Sequence, residues 1–125
     1  MSLASSRVSV RPANADDFVS YFRRSPQEDW HGWLGWVAQR DGKLAGMGGV
    51  YFNSEYFPIA FFEKLEPLPA VTMHRLVLAG LKELGERGLS MLYAPCDETV
   101  SIGPRWMKAL GFERIKDGLW RKALR

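Results

Sequence analysis

The side chains able to do covalent or proton-transfer chemistry are few in this sequence. Glu63 closes the apolar run Pro58-Ile59-Ala60-Phe61-Phe62-Glu63. A carboxylate at the end of a buried strand can act as a general base once burial raises its proton affinity. At a surface strand end the same residue would simply pair with Lys64 or Arg75. Cys96 is the only cysteine. As a nucleophile it needs a neighbouring base to form thiolate, whereas as a small buried residue it needs none. Asp97 and Glu98 can orient an ammonium group or cap the turn ahead of the last helix. His74 falls in the first turn of the strongest helical segment, where an imidazole can meet an anion or stand in solvent. His31 lies within Trp30-His31-Gly32-Trp33, where it can stack on an aromatic ligand or pack in a lid. Two histidines and one cysteine at such separations give no metal-ligand spacing, so no metal is expected.

The elements that must position these residues read as an alternation of strands and helices. Val8-Ser9-Val10 alternates as a strand and ends at Arg11-Pro12. Asn14 or Asp16 can cap a helix bearing Phe18, Val19 and Phe22, which Ser25-Pro26 breaks. Trp30 to Trp33 fits a short helix or a loop. Two apolar runs, Trp33 to Arg40 and Lys43 to Phe52, flank Asp41-Gly42, a strong hairpin signal because both turn positions need positive φ. Gly46, Gly48 and Gly49 thin the second strand and predict a bulge or a close backbone approach. A third run, Pro58 to Glu63, is followed by a proline-bearing loop. The spacing of Met73, Leu76, Val77, Leu81 and Leu84 predicts a helix from Val71 to Arg87, with Thr72 as N-cap and Gly88 as the stop. Leu89 to Ala94 reads as a strand, Gly103-Pro104 opens a helix with Trp106, Met107 and Leu110 on its apolar face, and Gly111 ends it. A hairpin around Asp117-Gly118 closes the chain.

Composition narrows the class. At 125 residues the chain suits one domain, expected over 7–125 behind a loose polar tail at 1–6. Hydrophobic residues make up 46% and charged ones 25%, the balance of a globular protein. The net charge of +3 is scattered, unlike the basic stripe of a nucleic-acid binder, so no nucleic-acid partner is expected. No apolar run nears the roughly 20 residues needed to cross a bilayer, and the N-terminus lacks a signal-peptide pattern, so neither a membrane nor export is expected and the cytoplasm is the default location. One cysteine excludes an intrachain disulfide.

The order β-α-(α)-β-β-β-α-β-α-β-β, with particular residues at its joints, resembles the GNAT superfamily of acetyl-CoA-dependent N-acyltransferases. The likeness rests on Val8-Ser9-Val10-Arg11-Pro12-Ala13 with Asp16-Asp17, on the hairpin Trp36-Val37-Ala38 to Leu44-Ala45-Gly46, and on Leu110-Gly111-Phe112-Glu113 followed by Trp120. It spans Val8 to Leu124 and implies an α/β fold, with a mixed sheet of six to seven strands flanked by helices. It also implies a cleft between two splayed strands that receives acetyl-CoA as co-substrate. Phe62 and Lys64 would hold it from the strand, and Val71, Thr72, Met73, His74 and Arg75 from the helix start, where free N–H groups attract the pyrophosphate. Glu63 would be the general base, and Trp30, Trp33 and Tyr51, with Tyr56 and Phe57, would line the pocket of a small-molecule or peptide amine. The aromatic closing strand would suit pairing across an edge as a homodimer.

Two departures from the family pattern stand out. Leu65 to Arg75 contains no glycine where the family has a Gly-rich phosphate loop, and Pro67 and Pro69 remove two donors. Met107 occupies the place of the family's tyrosine acid. The resemblance therefore supports two functions, direct acetyl transfer to a primary amine or a non-catalytic module that keeps the fold alone.

Overall fold

The structure of the chain is a computed structural model that describes residues 8–22, 31–64, 69–99 and 102–125, with backbone alone for Phe18, Ser20, Tyr21, Phe22, Glu63, Lys64 and Ile102. Its elements are β1 (Val8–Pro12), α1 (Ala15–Phe22), β2 (Trp33–Arg40), β3 (Lys43–Phe52), β4 (Pro58–Lys64), α2 (Ala70–Glu86), β5 (Met91–Pro95), α3 (Ile102–Ala109), β6 (Glu113–Lys116) and β7 (Leu119–Ala123). The strands form one seven-stranded mixed sheet in the order β1-β2-β3-β4-β5-β7-β6. Only β4 and β5 run parallel. The α/β class and the strand number match the expectation.

Local chemistry sets each joint. Asn14, and not Asp16, caps α1: its Oδ1 accepts from the Asp17 N–H at 3.0 Å, and its own N–H donates to Asp17 Oδ2 at 2.9 Å. This reciprocal pair satisfies two donors at once. Asp17 also receives both Arg11 nitrogens, at 2.8 and 2.6 Å, which ties α1 to the end of β1. Asp41 and Gly42 have φ of 53° and 80°, as the β2–β3 turn demands. In the closing hairpin Gly118 alone has positive φ, and the register slips between Arg114 and Lys116, so that turn carries a bulge instead.

The long helix departs from its expected start. Pro69 is the N-cap, with φ of −56°, and Thr72 is the third helical residue rather than the cap. The proline ring presets the entry angle and needs no capping side chain to do so. The stop is as expected. The N–H of Gly88, at φ 104°, donates to Gly85 and that of Leu89 to Leu84, both at 3.0 Å. Together these bonds close the last turn in a Schellman motif.

The glycines of β3 divide between the two faces of the sheet. A Cβ on Gly49 would collide with the Leu34 carbonyl oxygen and lie 2.6 Å from Gly35 Cα, so this glycine permits the close approach of β2. The bulge sits four residues earlier, where Gln39 pairs with Leu44 and Ala38 with Gly46, leaving Ala45 unpaired in the ladder. The main core joins Leu81 and Leu84 of α2, Met107 of α3 with Leu110 just after it, and Val50, Leu92, Ala94 and Trp120 of the sheet. A smaller cluster on the opposite face centres on Val37 and Met47. One expectation fails on topology: β7 lies between β5 and β6, so the aromatic closing strand is interior and offers no edge to a second copy. The edge belongs to β6, whose four residues are all exposed.

Candidate functional site

The sheet forks between β4 and β5. Their pairing is confined to Ile59 and Tyr93. Beyond that point β4 follows β3 as far as Lys64, while β5 follows β7 as far as Pro95. Each strand is held by its own antiparallel partner, so sheet twist carries the two halves apart and β5 does not pair with β4 beyond Ile59.

The start of α2 stands beside this fork. Its first helical bond runs from the Met73 N–H to the Pro69 carbonyl at 3.0 Å, so the N–H groups of Ala70, Val71 and Thr72 have no acceptor within the helix. Among the described residues no side chain caps this end, and its first turn carries no acidic residue. Val71, in its first turn, is 62% exposed. An anion placed there meets aligned dipoles and free donors. Of the other residues expected to hold a cofactor, Thr72 is half-buried and Arg75 exposed. Met73 turns inward, onto a cavity beneath α2.

Phe62, His74 and Trp106 meet where fork, α2 and α3 converge. The Trp106 indole N–H donates to His74 Nδ1 at 3.2 Å, and the Trp106 ring stands edge-on to Phe62 with centroids 6.2 Å apart. His74 is thus half-buried rather than a solvent residue, and its Nδ1 is engaged by a protein donor. Helical spacing marked Trp106 as apolar, but only the fold shows that its polar edge reaches the first turn of another helix. Phe62 remains 44% exposed. In the register Glu63 stands opposite Met47 and Lys64 opposite Gly46; the side chains of both lie outside the described residues.

On the opposite face of the sheet the register aligns Trp33, Tyr51, Ile59 and Tyr93 in one row across four strands. Phe61 joins them, its ring 6.4 Å from both Trp33 and Tyr51. Two of the expected pocket residues are therefore brought together at the fork; the third, Trp30, lies outside the described residues. Tyr56 pairs with His31 at 4.8 Å, and Phe57 stands edge-on to Tyr93 at 5.7 Å. Tyr93 and Phe61 were missed by sequence reasoning. Period-two alternation from Pro58 and Met91 was the signal that could have placed them on this face.

The residues after β5 build structure. Burial, followed by the charges of Glu98 and Asp97, pushes the Cys96 thiol up, away from thiolate. Asp97 Oδ1 accepts from both the N–H and the hydroxyl of Thr99, closing a turn. Glu98 accepts from Arg114 at 3.0 Å and from the indole of the 2%-exposed Trp120 at 2.7 Å. Arg114 is the larger cause of its lowered proton affinity. Both carboxylates are thus engaged by protein donors. Met107, in the position of the expected acid, is 8% exposed within the main core. Among the described residues no group of three or more metal-ligating side chains occurs, and no helix is long and apolar enough to cross a membrane.

No protein-family model matches the sequence, and no match appears among curated proteins. Solved structures do match. The ribosomal-protein-S18-alanine N-acetyltransferase from Escherichia coli superposes with a TM-score of 0.72 at 13% identity, covering 94% of each chain. An N-acetyltransferase from Staphylococcus aureus Mu50 gives 0.70 at 9% identity, over 94% of this chain and 98% of that one. A GNAT family N-acetyltransferase from Escherichia coli in complex with CoA gives 0.66 at 17% identity, over 96% and 83%. At such identities the likeness is one of fold, and the chain has the GNAT N-acetyltransferase fold.

Proposed function

We propose that this protein is an N-acyltransferase that moves an acyl group from a coenzyme A thioester to a primary amine. The observation that carries the reading is the β4–β5 fork beside the uncapped start of α2. The fork sets β4 apart from β5, which gives an extended pantetheine arm a cleft to lie in, and three helix N–H groups suit the pyrophosphate even without a glycine loop. The donor would supply the activated acyl carbon; the chain's own residues do the rest. The fork holds the thioester in one orientation, and the row of Trp33, Tyr51 and Phe61 on the far face presents the amine. Positioning supplies most of the acceleration in such a transfer.

Chemically, the amine nitrogen forms an amide bond to the carbonyl carbon, the C–S bond breaks, and the proton lost by nitrogen is matched by one gained by the departing thiolate. Glu63, at the end of β4, takes the first proton in this reading. Tyr93, whose Cα pairs with Ile59 where the strands part, provides the hydroxyl for the second, in place of the apolar Met107.

Calorimetry and thermal unfolding with CoA test the reading. Micromolar affinity at millimolar CoA raises stability by about 4 kcal/mol. Thr72→Pro should weaken binding without unfolding the helix, because proline is tolerated in the first turn yet deletes a donor. Glu63→Gln and Tyr93→Phe should lower turnover at unchanged CoA affinity. A protein silent to millimolar CoA by both methods would not be a transferase of this kind. That outcome would favour the second reading, a non-catalytic module, to which the Trp106–His74 bond across the mouth of the fork lends support.

A further inference from the structure

A cavity of about 600 Å³ lies between α2 and the sheet. Its floor combines small residues with larger ones, the Phe62 ring lying 3.2 Å from where a Cβ on Gly48 would stand. Gly46 of β3 pairs with Ala38 on β2, and Gly48 and, on β4, Ala60 lie further along the same face; all four line the cavity. The register places Gly48 opposite Trp36 and Phe62, and Gly46 opposite Ala38, so these residues share one face. The roof is the inner side of α2. At Gly80, part of that roof, an added Cβ would meet nothing within 4 Å. Among the described residues the floor and the inner side of α2 are apolar, and the charged residues of the lining are Arg11, Glu83 and Arg87. Glu83 and Arg87 pair with each other, and Arg11 with Asp17.

The cavity reaches both limbs of the fork, through Phe62 on β4 and Ala94 and Pro95 on β5. An apolar chain attached to a thioester at the fork therefore has a continuous path beneath α2. We infer that this cavity takes the acyl tail of the donor, and that the donor carries an aliphatic chain of on the order of ten carbons rather than acetyl. The inference rests on the coenzyme A reading above. The volume sets an upper bound that such a chain clears: a cavity of roughly 150 Å³ accommodates a six-carbon benzene ring, and the present one, at about 600 Å³, is about four times larger. Walls with few donors or acceptors favour methylene groups over polar acyl substituents, which would lose their hydrogen bonds to water.

The test compares CoA, acetyl-CoA, decanoyl-CoA and decanoate by calorimetry, below micellar concentrations, on the wild-type chain and on Gly80→Leu, whose side chain would enter the open space. Decanoyl-CoA should bind at least about tenfold tighter than acetyl-CoA, and Gly80→Leu should erase that difference while keeping CoA affinity. If Gly80→Leu does not fold, nuclear Overhauser contacts between the chain methylenes and the Met73 and Val77 methyls of the wild-type protein decide instead, and their absence overturns the inference. Equal affinities for acetyl-CoA and decanoyl-CoA would overturn it and leave the transferase reading standing. Binding of decanoate alone, with every CoA species silent, would overturn both and mark the cavity as a site for free amphiphiles. Silence to all four ligands would likewise overturn both.

Discussion

Removing the Asp17 carboxylate should detach α1 from β1. The Asp17 side chain is 9% exposed and its carboxylate accepts three bonds, two from Arg11 and one from the Asn14 N–H. The Arg11 side chain is 39% exposed, so solvent screens the ion pair and reduces it to about 1 kcal/mol. Loss of the acceptor for the Asn14 N–H adds about 1 kcal/mol, as for other helix caps. Asp17→Ala should therefore cost about 2 kcal/mol and Asp17→Asn, which keeps one acceptor oxygen, about half of that. For 125 residues the unfolding entropy is about 0.26 kcal/mol/K, so Asp17→Ala should lower Tm by about 8 °C. Arg11, first through its hydrogen bonds, holds the Asp17 carboxyl below its ordinary value of 3.8, against the opposing effect of burial. A depressed folded-state value stabilises above 3.8, and that contribution fades as pH falls through the folded value. Thermal unfolding followed by circular dichroism at pH 7 and near pH 3 should thus show the gap between wild type and Asp17→Asn closing in acid. A gap that stays constant or widens would refute the charge assignment, and a loss below about 0.5 kcal/mol for Asp17→Ala would refute the whole network.

Three further outcomes follow from the packing. Gly49→Ala should cost about 2 kcal/mol or more, because the new Cβ meets the β2 backbone rather than a yielding side chain; chemical denaturation would measure it. Cys96 should alkylate with iodoacetamide at pH 8 more slowly than a free cysteine and reach the ordinary rate only once the chain is unfolded, since burial keeps the thiol protonated. Glu98→Ala should lower Tm and change the near-ultraviolet circular dichroism, because it removes the acceptor of the buried Trp120 indole and the partner of Arg114.

The course of the chain was legible in the sequence because its signals are local. Asp41-Gly42 fixes a turn through φ alone, Gly88 and Gly111 stop helices by the same means, and alternating apolar residues mark strands at period two. Those rules placed every described strand and helix to within a few residues. The start of α2 was misplaced because Thr72 looks like a cap, while Pro69, which carries no capping group, does the work through its fixed φ. Asn14 and Asp16 could not be separated by sequence, since the choice depends on which side chain finds Asp17 and Arg11.

What only the tertiary structure decided is everything that depends on register between distant strands. That β7 inserts between β5 and β6 follows from pairing partners more than 20 residues apart, such as Ala94 and Trp120, to which no local propensity is sensitive. The row of Trp33, Tyr51, Ile59 and Tyr93, the Trp106–His74 bond and the cavity over Gly46 and Gly48 arise in the same way. A side chain's type is written in the sequence; its neighbour is set by which strands pair and where twist forces them apart.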